Sequence, residues 1–117
     1  MFGDILSDQS SQVVGGLGMA PAANLGDNFG LFEPVHGAAF DIAGKQIANP
    51  TSFILSIKMM FEWLGMKNND QNSLRAAKIL EETILNIVKS GIATKDIGGT
   101  MSTREFTSQV TKALSVN

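Results

Sequence analysis

The chain has 117 residues, 44% of them hydrophobic, no cysteine and a formal net charge of −2 at pH 7. That suffices for one domain with its own core and is too short for two. It excludes disulfides and a thiolate metal site, and an acidic chain without a basic patch argues against nucleic-acid binding.

In chain order, Phe2 to Val14 reads as a helix, with Phe2, Ile5, Leu6 and Val13 at near-helical spacing and Gly15-Gly16 as its stop. MFGDILSD carries no basic lead of the kind a secretory signal needs, so a cytoplasmic setting is expected. The following stretch, GGLGMAPAANLGDN, is rich in glycine and small residues around Pro21 and reads as a tightly folded loop. Phe29 to Val35 is a short strand candidate, and His36 to Asn49 is a loop. Asn49-Pro50 is a helix start, with Asn as the cap and Pro in the first turn. The helix predicted over Thr51–Leu64 is apolar on more than one side, through Phe53, Ile54, Ile57, Phe61 and Leu64 and then Leu55, Met59 and Trp63; such a helix is expected to be buried. Lys58 and Glu62 interrupt its apolar run, which is also shorter than the roughly 20 residues of a membrane span. Gly65 to Gln71 reads as a surface loop. Ser73 to Ser90 is an amphipathic helix with Ala77, Leu80, Ile84, Ile87 and Val88 inward and Gly91 as its stop. Ile92 to Gly99 reads as extended. Ser102-Thr-Arg-Glu105 is a capping box opening a last helix that ends near Leu114. Helices outnumber strands, and so few strands do not make a sheet that stands alone.

The segment from Glu33 to Pro50, EPVHGAAFDIAGKQIANP, gathers a turn-forming Glu-Pro, the single histidine, two glycines, an aspartate and a lysine between apolar elements. A loop of that composition reads as backbone shaped around a ligand. His36 can stack on a flat heterocycle or hydrogen-bond to it, or serve the loop itself. Asp41 can accept hydrogen bonds from vicinal ribose hydroxyls, or cap a turn. Lys45 reads as solvated, and Met59, Met60 and Trp63 read as core. Asp4 and Asp8 are one helical turn apart on one face. Such a pair is a solvated helix face, or a site for a hard divalent ion such as Mg²⁺ or Mn²⁺. Gly16-Leu-Gly18 is not a Rossmann fingerprint, because the third glycine is absent and no strand is predicted before it.

Taken together, MFGDILSD, GGLGMAPAANLGD, LFEPVHGAAFDIAGKQIANP and DIGGTMSTREF resemble the β-decarboxylating dehydrogenases, the family of 3-isopropylmalate, isocitrate and homoisocitrate dehydrogenases. The resemblance covers nearly all of this chain and the C-terminal third of a family member. A segment of a larger protein, from an internal start or a truncation, is therefore expected. It implies an α/β, isopropylmalate dehydrogenase-like fold, partial, helix-rich and with few strands. Residues 1–14 would be a helix of the dimer and metal domain, with Leu6, Val13 and Val14 at the dimer interface. Residues 15–117 would form the C-terminal half of the cofactor-binding domain. By resemblance, Asp4 and Asp8 hold Mg²⁺ or Mn²⁺, His36 lies beside the adenine, and Asp41 binds the adenosine ribose in NAD-using members. Gly18, Gly37, Ala48 and Asn49 surround the cofactor. NADP-using relatives carry a tyrosine and an arginine in the segment of Lys95 and Gly99, which this chain lacks, so NAD is implied. Phe40 stands where a proline is common, and Lys95 where many NAD-using members have proline. The implied reaction is NAD-dependent oxidative decarboxylation of a malate-type 2-hydroxy-3-carboxy acid by a homodimer or dimer of dimers. Its leading substrate is 3-isopropylmalate, of leucine biosynthesis, with isocitrate or homoisocitrate as alternatives. The arginines, tyrosine, lysine and third carboxylate that complete such a site fall upstream of the matched segment. The competing expectation is a relic or interaction module without turnover.

Overall fold

The computed structural model describes residues 16–116; the helix read over Phe2–Val14, with Asp4 and Asp8, lies outside the described residues. A 3-10 turn, Leu17–Met19, leads into strand β1, Pro21–Leu25, which pairs antiparallel with β2, Gly30–Pro34. The strand candidate at 29–35 is thus present, but β1 replaces the loop expected there. Its residues, Pro-Ala-Ala-Asn-Leu, have little strand preference of their own. Pairing supplies it, with Ala23 opposite Phe32 and the turn closed by the Gly26 N–H donating to the Phe29 carbonyl at 2.8 Å.

Helix α1 runs Thr51–Asn68, longer than expected. Gly65 does not end it; Gly65 is buried inside it because a Cβ there would come within 2.7 Å of Leu74 Cγ. Asn69 ends the helix instead, at φ 52°, a left-handed turn that asparagine tolerates. Helix α2, Gln71–Lys89, then begins two residues earlier than read, capped by Asp70, whose carboxylate accepts from Asn72 N–H at 3.0 Å and Ser73 Oγ at 2.6 Å. Gly65 meets Leu74, and Lys58 Nζ lies 3.3 Å from Glu81, so α1 and α2 run antiparallel. Lys58 also pairs with Glu62 at 3.0 Å. Burial works against its charge, but the bonds and charges of Glu62 and Glu81 outweigh that and raise its pKa.

Gly91, at φ 85°, stops α2 as expected. Its N–H reaches the Val88 carbonyl at 3.0 Å, and Ile92 N–H reaches Ile87 at 3.2 Å, a Schellman closure. The piece expected to be extended is instead a tight turn around Lys95–Ile97, flanked by a single parallel bridge between Thr94 and Met101. Helix α3, Thr103–Leu114, opens with the predicted capping box.

The core forms where α2 meets α3: Ile84, Ile87, Phe106 and Val110 are buried together, with Ile54, Leu55 and Val88 packed against them. Helix α1 departs from expectation. Its buried residues are Thr51, Ser52, Ser56 and Gly65, while Phe53 is 58% exposed. Small residues let the hairpin and α2 approach closely, and these two neighbours cover only part of its circumference. Phe32 of β2 meets Trp63 with ring centroids 5.9 Å apart, and Lys67 Nζ sits 4.7 Å over the same ring while donating to the Asp27 carbonyl at 2.9 Å.

Two expected results arise here. The hydrogen bonds from Ser73 and Asn72 lower the pKa of Asp70, and those from Ser102 lower that of Glu105. Both folded values lie below the unfolded ones, so the caps contribute fully above the ordinary carboxylate range and are lost as pH falls through the depressed values. The melting temperature should fall below about pH 4, and the Asp70→Asn, Glu105→Gln double variant should show a shallower decline; an unchanged slope would refute the assignment. Second, Thr51 is fully buried, and its hydroxyl has no hydrogen-bond partner among the described residues. Thr51→Val, which keeps the shape and the branching, should therefore stabilise by about 1 kcal/mol in urea unfolding. A loss of stability would show that the hydroxyl has a partner.

Candidate functional site

The predicted ligand loop folds back through a 3-10 turn, Phe40–Ile42, closed by the Ala43 N–H on the Phe40 carbonyl at 3.3 Å. Gly44 at φ 78° and Gln46 at φ 57° reverse the chain. Thr103, first residue of α3, then pins the returning strand of the loop. Its N–H donates to the Gln46 carbonyl at 2.9 Å and its hydroxyl to Ala48 at 2.5 Å. Asn49 Oδ1 accepts the Thr51 N–H at 3.0 Å, but Pro50 and not Asn49 is the N-cap of α1, one residue later than expected, and no side chain makes a cap hydrogen bond there.

Between this loop, the Leu17–Met19 turn, the turn at Lys95–Ile97 and the start of α3 lies an open cleft of about 570 Å³. Gly18, His36, Gly37, Ala48 and Asn49 all line it, brought from three separate stretches of chain. Asp41 sits on the exposed turn between Ala39 and Ile42, which line the cleft, while Asp41 itself does not. Lys45 is exposed, as expected. His36 Nδ1 lies 3.0 Å from the Gly37 carbonyl. A carbonyl only accepts, so in the neutral ring Nδ1 carries the proton and Nε2 remains an acceptor.

The two lining glycines serve different needs. At Gly18 a Cβ would come within 3.0 Å of Asp96 Oδ2 and 3.3 Å of Asn49 Cβ, so glycine lets those groups close together. At Gly37 a Cβ would meet nothing within 4 Å, and the backbone is not left-handed. Neither packing nor conformation requires glycine there. What it provides is bare backbone facing the cleft, as a close-lying ligand requires. The walls are otherwise small and apolar, through residues such as Ala38, Ala39 and Ile42. An open, largely apolar cleft with a few polar groups at its rim suits a flat heterocycle joined to a polar sugar.

Asp96 and Thr103 also line the cleft, and neither is picked out by composition. DIGGTMSTREF contains both, but an Asp before Gly-Gly reads as a turn and a Thr inside a capping box reads as helix start. Only the tertiary pairing with residues 46–49 exposes their part. Among the described residues, no group of three or more His, Cys, Asp or Glu side chains could hold a metal ion, and no helix is long and apolar enough to cross a membrane.

The family model for isocitrate/isopropylmalate dehydrogenase matches residues 1–114. The chain belongs to the isocitrate/isopropylmalate dehydrogenase family. It is 50% identical over 111 residues to the 3-isopropylmalate dehydrogenase of Sulfurisphaera tokodaii, covering 94% of this chain and 33% of that enzyme. To the isocitrate/homoisocitrate dehydrogenase of Thermus thermophilus it is 49% identical over 114 residues, covering 97% and 32% respectively. The fold agrees. An isocitrate dehydrogenase from Methylococcus capsulatus superposes with a TM-score of 0.86 at 35% identity, over 97% of this chain and 32% of that one. A β-decarboxylating dehydrogenase from Thermococcus kodakarensis does so with 0.82 at 38% identity, over 98% and 32%. This member of the isocitrate/isopropylmalate dehydrogenase family thus has the expected α/β, isopropylmalate dehydrogenase-like fold in part. It spans about a third of the length of the relatives it matches.

Proposed function

We propose that the cleft holds the adenosine half of NAD, within an oxidoreductase that oxidatively decarboxylates a malate-type 2-hydroxy-3-carboxy acid. The supporting observation is the convergence of Gly18, His36, Gly37, Ala48 and Asn49 on one slot with a bare-backbone wall. His36 bounds the flat face, the Gly37 backbone allows close approach, and Asn49 offers a fixed carboxamide. Asp41 stands at the margin, where its carboxylate would accept from the ribose hydroxyls and repel a 2′-phosphate, favouring NAD over NADP. Bound nicotinamide supplies the hydride acceptor. Asp4 and Asp8 would hold Mg²⁺ or Mn²⁺, which supplies Lewis-acid polarisation at the substrate hydroxyl. The substrate read here is 3-isopropylmalate, the named substrate of several relatives, with isocitrate or homoisocitrate second. A homodimer or dimer of dimers in the cytoplasm completes the reading.

The test is calorimetric titration of the chain with NAD and with NADP, beside an Asp41→Lys variant. Saturable NAD binding with preference over NADP is expected, together with a shift of at least about tenfold toward NADP in the variant, equivalent to about 1.4 kcal/mol. No saturable NAD binding would reject the reading and leave a non-enzymatic role standing. Unchanged selectivity would remove Asp41 from it. Turnover by the chain alone should be weak or absent, because the remaining substrate-binding groups implied by resemblance lie outside the matched segment.

A further inference from the structure

Residues 46–48 line the cleft, and their backbone is held from a single point. Thr103 donates its N–H to the Gln46 carbonyl at 2.9 Å and its hydroxyl to the Ala48 carbonyl at 2.5 Å. No other hydrogen bond reaches the main chain of residues 46–48 among the described residues. Ile47 lies between the two tied carbonyls, and its own N–H and carbonyl have no partner among the described residues. The entry to this wall is also strained, because Gln46 sits at φ 57° without being glycine. Such a conformation persists where the surrounding structure over-determines it, and the one bond on the Gln46 carbonyl comes from Thr103.

Thr103 is a firm anchor whose donors nothing else uses. It is the first residue of α3, and that helix start closes without it. Ser102 Oγ accepts the Glu105 N–H at 3.2 Å, and the Ser102 N–H donates to Glu105 at 2.8 Å. The Thr103 N–H is one of the donors that a helix start leaves over, and its hydroxyl takes no part in the cap. Three residues on, the buried Phe106 holds α3 to the core.

We propose that Thr103 is a positioning residue for the adenosine half of the dinucleotide, setting where the backbone of residues 46–48 lies through both of its donors. This rests on the reading of the cleft as the adenosine site. Asn49 does not duplicate the role. Its carboxamide is held by Thr51 and Asp96, which fixes that side chain and leaves the carbonyls of Gln46 and Ala48 to Thr103.

The experiment titrates NAD, and AMP as its adenosine half, into the chain and three variants, each checked for a cooperative melt. Thr103→Ser keeps both donors. Thr103→Val keeps the N–H and the branched shape but loses the hydroxyl; Ala48 is exposed, so water can take the lost bond without fixing where the carbonyl lies. Thr103→Pro removes both donors, yet proline suits the first helical position. Ser102, at φ −72° and ψ 163°, already has the backbone that precedes a proline. Affinity should stay within about twofold in Thr103→Ser, fall roughly threefold in Thr103→Val and fall about tenfold or more in Thr103→Pro, the scale of one and of two hydrogen bonds. The factors should be the same for NAD and for AMP. A tie that served stability alone would lower the melting temperature and leave the affinity of the folded chain unchanged. Unchanged affinity in the folded Val and Pro variants, a loss in Thr103→Ser as large as in Thr103→Val, or a loss for NAD without one for AMP overturns the proposal and leaves the adenosine site standing. Should Thr103→Pro fail to melt cooperatively, Thr103→Val decides alone. Failure of the unchanged chain to bind either ligand removes the adenosine reading and the proposal together.

Discussion

Replacing Gly99 with alanine should cost at least about 3 kcal/mol in urea unfolding, at or beyond the upper end of ordinary overpacking. A Cβ at this position would fall 1.9 Å from the Ala93 carbonyl oxygen and 2.3 Å from its carbon. These are backbone atoms, and no rotamer change moves them aside. Ala93 is buried, and its carbonyl already accepts the Met101 N–H at 3.0 Å. The strand-like bridge and the turn would have to separate together. The neighbouring Gly98 is an internal control. It has φ 84° but open space where a side chain would go, so Gly98→Ala should cost only about 1–2 kcal/mol of conformational strain. A Gly99→Ala loss below that of Gly98→Ala would refute the close approach. Because Asp96 of the same turn lines the cleft, the Gly99 variant should also disturb the cleft wall.

Phe106→Ala should remove about 3–5 kcal/mol, the range for emptying a large aromatic site in a packed interior. Phe106 is 0% exposed and sits among Ile84, Ile87 and Val110. This cluster is the main buried apolar group that joins α2 to α3. Leu85→Ala, one residue from Ile84 but 51% exposed, should cost under about 1 kcal/mol. A Phe106→Ala loss near that of Leu85→Ala would place the core elsewhere. The site should feel the change too. Thr103 lies one turn before Phe106 and holds the carbonyls of Gln46 and Ala48. Loosening α3 releases the cleft wall.

Features set by local chemistry were legible in the sequence. The capping box at Ser102 and Glu105 and the Gly91 stop each depend on hydrogen bonds within a few residues, and each is present. Features set by distant contacts were not. Gly65 looks like a terminator, yet Leu74 on the next helix dictates it. Pro21–Leu25 looks like loop because its strand character comes only from β2. The lining residues from His36 to Asn49 stood out as one odd loop, while Asp96 and Thr103, arriving from far along the chain, each had an ordinary local explanation. Burial along α1 departs from the apolar pattern for the same reason: periodicity reports which side chains are apolar, not how many neighbours exist to cover them.

Trp63 is the chain's only tryptophan, and the chain has no tyrosine. Ultraviolet fluorescence therefore comes almost wholly from one indole, the one that touches Phe32 and lies under the Lys67 ammonium. An emission shift during unfolding would time the lifting of the hairpin from α1, not the melting of the Phe106 cluster. Circular dichroism would follow mainly the helices. If the two signals part company along a denaturant series, the hairpin and the helical core come undone in separate steps.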